Sequence, residues 1–155
     1  MQIIDGKKVS AQVKEEVKNQ TLELKEKHGV TPGLAVVIVG YDSASRVYVN
    51  NKKKACEAVG FKSEEYALPE QTTQEELLSL VKTLNEKPDI NGILVQLPLP
   101  KHLDDKAVIE AINPEKDVDA FHAVNVGKIM LGEYDFLPCT PAGVMEMLHS
   151  YDIPV

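Results

Sequence analysis

Alternating apolar runs and helical periodicities along this chain predict an α/β fold. Residues 34–40 form a continuous, largely β-branched run, which is typical of a strand covered on both faces in a parallel sheet. Residues 62–68 and 92–96 are predicted as two further strands. The last of these ends at the Leu-Pro-Leu-Pro segment of residues 97–100, because proline cannot donate to a strand ladder.

Helical spacing of apolar residues predicts helices between and after these strands. They cover residues 10–27, residues 45–59, a segment capped by Thr72 or Thr73, residues 104–112 and residues 140–149. Gly29 and Gly60 end the first two, and Thr140-Pro141 opens the last as a cap followed by proline at the first helical position. Residues 113–121 are predicted as a polar loop.

Strands that alternate with helices imply right-handed crossovers and a three-layer α/β/α domain with a small, mainly parallel sheet. In such domains ligands bind beyond the carboxyl ends of the strands. We therefore expect the loop after Gly40, the prolines after Gln96 and residues 117–121 to meet at one rim.

The composition of the chain disfavours several classes of partner and location. The 155 residues suit one domain, and a net charge of −7 disfavours nucleic acid and anionic membrane surfaces as partners. No apolar stretch reaches the roughly 18 residues of a membrane span, and the start lacks a signal-peptide pattern, so a cytoplasmic location is expected.

Cysteine and histidine spacing predicts no metal site. Cys56 and Cys139 lie far apart without a CxxC partner, and both are predicted to be buried as small apolar residues. The four histidines are scattered without the spacing of metal ligands: His28, His102, His122 and His149.

The segment Tyr48-Val-Asn-Asn-Lys52 carries the candidate chemistry, because residues at i and i+4 share one helix face. A tyrosine ring can stack on a planar ligand, and a neutral lysine amine can act as a base. The plainer interpretation is a half-buried tyrosine and a solvated lysine. Gln96 could likewise only satisfy a loop carbonyl.

Two aspartates in the predicted loop have open roles. Asp117 or Asp119 could only cap a turn. Asp117 better suits a structural role, since Lys116 or backbone amides could occupy its carboxylate.

Four segments together resemble, in order, the signature blocks of the bifunctional methylenetetrahydrofolate dehydrogenase/methenyltetrahydrofolate cyclohydrolase family. They are residues 39–60, 92–100, 114–119 and 138–141. The resemblance implies an N-terminal domain like that of amino-acid dehydrogenases. It also implies NADP-dependent (in some members NAD-dependent) oxidation of 5,10-methylenetetrahydrofolate and hydrolysis of the methenyl product to 10-formyltetrahydrofolate. One-carbon metabolism for purine biosynthesis and a full-length homodimer are implied as well.

Carried onto this sequence, the resemblance assigns a role to each matching residue. Lys52 is the catalytic lysine, Tyr48 stacks on the folate and Gln96 hydrogen-bonds near Lys52. Asp119 holds the pterin nitrogens, as a carboxylate can accept two adjacent N–H groups. The remaining substrate-binding residues are Ser45, Leu97 and Pro98.

The chain departs from the family pattern in two respects. Ala120 replaces a glycine, which matters if that position needs a positive φ. Relatives continue past the equivalent of residues 153–155 into a dinucleotide-binding Rossmann domain, and none of the nine glycines here forms a GxGxxG loop. We therefore expect residues 1–155 to be the folate-binding catalytic domain, without a cofactor-binding residue and without dehydrogenase activity on its own.

Three other interpretations stay open. Tyr-x-x-x-Lys also occurs in short-chain dehydrogenases, but those chains carry an early glycine-rich loop. A substrate domain of an amino-acid or shikimate-type dehydrogenase would share the architecture, but not Val95-Gln-Leu-Pro-Leu-Pro100. A non-catalytic module would keep the fold alone.

Overall fold

The sheet is small and parallel, as the sequence predicts. The computed structural model describes residues 3–41 and 43–155, with the backbone alone at residues 43 and 44. Its strands are β1 (Gly33–Val39), β2 (Lys62–Leu68) and β3 (Gly92–Val95), paired in parallel in the order β2-β1-β3. A parallel bridge between Ile93 and Asp117 continues the sheet beyond β3.

Helices flank this sheet in the described residues. They are α1 (Gly6–His28), α2 (Ser43–Val59), α3 (Gln74–Glu86), α4 (Asp105–Ala111), α5 (Ala123–Leu131) and α6 (Cys139–His149), with a 3-10 turn at Pro114–Lys116. α1 begins earlier than predicted, because the Asp5 carboxylate accepts hydrogen bonds from the amides of Lys7 and Lys8. α3 begins with a capping box between Thr73 and Glu76.

Two local predictions differ from the structure, and a third includes a residue outside the described ranges. α5 was not predicted, because most of its large apolar side chains are exposed and its buried residue is an asparagine, so the apolar pattern does not mark a side that faces the core. α6 begins at Cys139, with no side-chain cap hydrogen bond, so Thr140 is not its cap. The turn expected after Gly40 includes Asp42, which lies outside the described residues.

The larger core lies between the sheet and the α3–α4 layer. Alternate residues of β1 point to this side, and their partners come from β3, α3 and α4. The buried members are Ala35, Val37, Val39, Leu77, Val81, Leu84, Ile90, Ile93, Val95, Leu99, Leu103, Val108 and Ile112. Each large side chain buried here contributes about 1.5–3 kcal/mol.

The opposite side of the sheet has a smaller core. Val36 and Ile38 of β1 pack there with Val49 of α2 and Leu94 of β3. α2 lies over β1 and β2, and α1 packs against α2. The predicted three-layer architecture is confirmed, and a cavity opens beside α2 on the β3 side.

Candidate active site

A cavity of about 870 Å³ lies between α2 and the segments that follow β3. This volume falls within the range of small-molecule sites, roughly 300–1,000 Å³. α2 contributes Tyr48, Lys52, Ala55 and Cys56 to its wall, and the sheet contributes Gly33, Leu34, Gly92 and Leu94. The facing wall comes from Val118, Asp119, Phe121, Phe136 and Pro138–Pro141.

Lys52 and Gln96 are joined across the site. Lys52 Nζ donates to Gln96 Oε1 at 3.0 Å, and Gln96 Nε2 donates to the carbonyl of Leu97 at 2.9 Å. The second bond fixes which amide atom faces the lysine. Tyr48 lies one turn earlier on α2 with 62% of its surface exposed, so its ring is free to contact a ligand in the cavity.

Asp119 brings a carboxylate to the same cavity. Its partial burial raises its pKa, the charge of Asp117 acts in the same direction, and the positive charge of Lys52 opposes both. The Lys52 amine and the Asp119 carboxylate therefore line the same cavity, close enough for their charges to interact.

Asp117 has the structural role that its sequence context favours. It is 2% exposed, and its carboxylate accepts hydrogen bonds from the backbone amide of His122 at 2.8 Å and from Asn125 Nδ2 at 2.9 Å. Lys116 is not its partner. The Lys116 amine donates instead to backbone carbonyls at the end of α3.

Gln96 does not line the cavity itself and is connected to it through Lys52, and the other predicted substrate-binding residues also lie outside the described cavity wall. Ser45 is buried on α2, one turn before Tyr48. Leu97 and Pro98 follow Gln96 directly and are joined by a cis peptide bond. A direct role of these three residues in substrate binding stays a prediction.

Several cavity residues were missed by the sequence reasoning. Asn91 and Phe136 carry no signal of their own, and residues 138–141 belong to a signature block whose role was left open, whereas Phe121 ends the loop that was expected at the ligand-binding rim. Cys139 in that block is exposed, so the prediction of two buried cysteines is wrong for it. Cys56 is buried, and burial raises the pKa of its thiol.

Neither a metal cluster nor a membrane-spanning helix is found among the described residues. Among them, no group of three or more histidine, cysteine, aspartate or glutamate side chains is arranged to hold a metal ion. Within the same ranges, no helix is both long enough and apolar enough to cross a membrane.

The parallel sheet and the lysine-bearing cavity define an α/β domain with a cavity of the size that small-molecule sites have. A family model described as tetrahydrofolate dehydrogenase/cyclohydrolase, catalytic domain, matches residues 4–119. That match spans most of the chain and includes Tyr48, Lys52, Gln96 and Asp119. The chain belongs to this family.

Curated relatives agree with the match. The bifunctional protein FolD of Acetivibrio thermocellus is 60% identical over 153 residues, which are 99% of this chain and 53% of that protein. The protein of the same name from Campylobacter hominis is 54% identical over 155 residues, which are 100% of this chain and 54% of that protein. The chain thus spans about half the length of the curated relatives it matches.

Solved structures extend the similarity to the fold. The bifunctional FolD enzyme of Campylobacter jejuni superposes with a TM-score of 0.95 at 51% identity, covering 99% of this chain and 54% of that one. The Trypanosoma brucei enzyme, solved with NADP and an inhibitor, gives a TM-score of 0.93 at 38% identity, covering 97% and 52%.

Proposed function

We propose that residues 1–155 form the folate-binding catalytic domain of a bifunctional enzyme. The whole protein oxidises 5,10-methylenetetrahydrofolate to the methenyl form with NADP, or with NAD as the alternative, and hydrolyses the methenyl form to 10-formyltetrahydrofolate. One observation carries this proposal. The Lys52 amine, bonded to Gln96 at 3.0 Å, lines the same cavity as Tyr48 and Asp119.

Lys52 suits the hydrolytic step. The methenyl carbon is cationic, so a water molecule that attacks it must lose a proton as the new carbon–oxygen bond forms. Once Lys52 has given up the proton that makes it positively charged, its amine can accept the proton of the water, while one of its N–H bonds stays on Gln96 Oε1 and orients the lone pair. The adduct then opens as one of its two carbon–nitrogen bonds breaks: its hydroxyl group loses a proton and becomes the formyl carbonyl, the departing nitrogen takes up a proton, and the formyl group stays on the other nitrogen.

Asp119 and Tyr48 suit recognition of the pterin and its linker. The Asp119 carboxylate can accept two adjacent N–H groups of the pterin edge. Its partial burial strengthens those bonds, since electrostatic attraction rises as the local dielectric constant falls. The exposed ring of Tyr48 offers a flat face for stacking.

The described residues do not fit a dinucleotide cofactor. A pyrophosphate loop needs several glycines between a strand and the following helix, and the connection from β1 to α2 carries one, Gly40. We therefore place NADP binding outside residues 1–155. Orientation of hydride donor and acceptor supplies about 7–11 kcal/mol in such reactions, so no dehydrogenase activity is expected from these residues alone.

We infer the setting from the same family assignment. The whole protein would act in one-carbon metabolism that feeds purine biosynthesis, in the cytoplasm and as a homodimer. The net charge of −7 supports a small-molecule partner rather than nucleic acid.

Calorimetric titration with 5-formyltetrahydrofolate tests the proposal. The chain should bind this reduced folate, and Asp119→Ala should weaken binding at least about tenfold through loss of a charged hydrogen-bond acceptor. Glu86→Ala, which removes an exposed carboxylate at the end of α3, is the matched control and should leave the affinity unchanged. A folded chain without folate affinity would indicate a bare scaffold and contradict the proposal.

A further inference from the structure

The loop that carries Asp119 is held by hydrogen bonds rather than by regular structure. It connects the Pro114–Lys116 turn to α5. Within it the Ala120 amide donates to the carbonyl of Asp117 at 3.2 Å, and Ala120 adopts a left-handed φ of 55°. A bend of this kind needs support from its surroundings, because a left-handed conformation is unfavourable for alanine.

The Asp117 carboxylate supplies that support from one end of the loop to the other. Its Oδ2 accepts from the backbone amide of His122 and from the side chain of Asn125. The first bond closes the loop across Asp119. The second ties the closed loop to α5.

Asn125 completes the arrangement. Its Nδ2 donates to the carbonyl of Pro114 at 2.9 Å as well as to Asp117, so both hydrogens of its amide have acceptors. The side chain is 4% exposed. The side-chain amide of Asn125, on the helix after the loop, thus connects Pro114 before the loop to Asp117 within it.

α5 is oriented to present this asparagine. Asn125 is the one buried residue of the helix, whose nine residues are all described, while four of its five large apolar side chains are exposed and Ile129 is partly buried. The exposed members are Val124, Val126, Met130 and Leu131. A helix that buries an amide and exposes most of its apolar side chains is anchored more by hydrogen bonds than by burial of apolar surface.

We propose that Asn125 is a positioning residue for folate binding, acting through Asp117 to fix the place of Asp119 in the cavity. Asn125 is not among the described residues that line the cavity. This inference rests on the proposed function, since it assigns Asp119 to the ligand.

A double-mutant cycle with 5-formyltetrahydrofolate tests the inference. In the wild-type chain, Asn125→Ala should weaken binding about tenfold, a typical coupling for residues within one hydrogen-bond network. In an Asp119→Asn background, the same substitution should cause no further loss, because the group that it positions has already lost its charge. A purely structural effect would instead weaken both backgrounds equally.

Val126→Ala is the matched control, since it trims an exposed side chain on the same helix and should change neither affinity. Circular dichroism and thermal unfolding report whether each variant is folded. If Asn125→Ala unfolds at the assay temperature, Asn125→Ser at 10 °C takes its place, because serine cannot reach both acceptors.

The outcomes separate the two proposals. If the wild-type chain does not bind, or Asp119→Asn leaves the affinity unchanged, both the proposed function and this inference are wrong. If Asp119→Asn weakens binding while Asn125→Ala does not, or weakens it equally in both backgrounds, only the positioning role is overturned.

Discussion

The two sides of the sheet are stabilised in different ways. On the α3–α4 side, Val37 of β1 meets Leu77 and Val81 in a continuous apolar core. On the cavity side, the wall that carries Asp119 depends on the hydrogen bonds of Asp117 and Asn125. Apolar burial thus stabilises the α3–α4 side, whereas the cavity side combines a smaller apolar core with a wall that is held by buried polar groups, a departure from simple patterning that is common at functional sites.

The largest effect is expected on the cavity side, at Lys52. Lys52→Ala should reduce methenyltetrahydrofolate hydrolysis by about 10²–10⁴-fold, the usual contribution of a general base, without changing the thermal unfolding midpoint. Loss of methenyl absorbance with time measures the rate. Lys54→Ala, at an exposed position on the same helix, is the control and should keep the wild-type rate. Hydrolysis that survives Lys52→Ala at full rate would exclude this base.

The next largest effect should appear in the apolar core. Leu77→Ala removes a fully buried side chain and should lower the free energy of unfolding by about 2–5 kcal/mol. Val126→Ala on α5 should change it by less than about 0.5 kcal/mol, because the residue is exposed. Urea titrations of both variants measure the contrast, and equal losses would contradict the distinction between the two sides.

The pH dependence of folate binding sharpens the comparison further. Burial raises the pKa of Asp119 above the ordinary 3.8, so the carboxylate is protonated at a higher pH than in the unfolded chain. Folate affinity should therefore fall as the pH drops through this raised value. The free energy of unfolding depends on pH in the opposite direction from folate affinity. The contribution of Asp119 to it declines as the pH rises through the same range, because the folded chain favours the protonated carboxyl group.

Calorimetry between pH 7 and pH 4.5 measures this effect, with Asp119→Asn as the control for protonation of the ligand itself. The variant should bind weakly with a flatter profile. Identical pH profiles for the wild-type chain and the Asp119→Asn variant would contradict a role of Asp119 in folate binding.

The smallest effect is expected for Ala120→Gly. Glycine relieves a left-handed φ that costs alanine about 1–2 kcal/mol, but it gives up a buried methyl group worth about 0.8 kcal/mol and gains about 0.4–1 kcal/mol of unfolded-state entropy. The free energy of unfolding should therefore change by less than about 1 kcal/mol in urea titrations. A change above about 2 kcal/mol would mean that the loop rearranges.

Much of the α/β framework could be predicted, because local and tertiary signals agree there. The run in β1 is β-branched and buried on both faces, and Thr73 with Glu76 forms the capping box that begins α3. The Tyr48–Lys52 spacing also placed both residues at the cavity, because a helix fixes which positions share a face.

The cavity's far wall could not be predicted for a physical reason. Most of the large apolar side chains of α5 are exposed, and its buried residue is Asn125. A prediction that places apolar residues in the core therefore finds no helix there. From the sequence alone, the position of Ala120 could need either a positive φ or only a small side chain. Its φ of 55° shows that the position needs a positive φ, which is strained for alanine. The partners of Asp117 depend on a tertiary contact with α5, which lay outside the predicted elements.

β2 has a consequence for how copies of the chain meet one another. It is the outer strand of the sheet beside β1, and Lys62 and Glu64 on it form ion pairs with Asp89 and Lys87. Hydrogen bonds from Lys62, Lys87 and Tyr66 lower the pKa of Glu64 to about 2. Glu64 therefore keeps its charge well below neutral pH, and the hydration of the charged groups on this edge opposes strand-by-strand aggregation in concentrated solution.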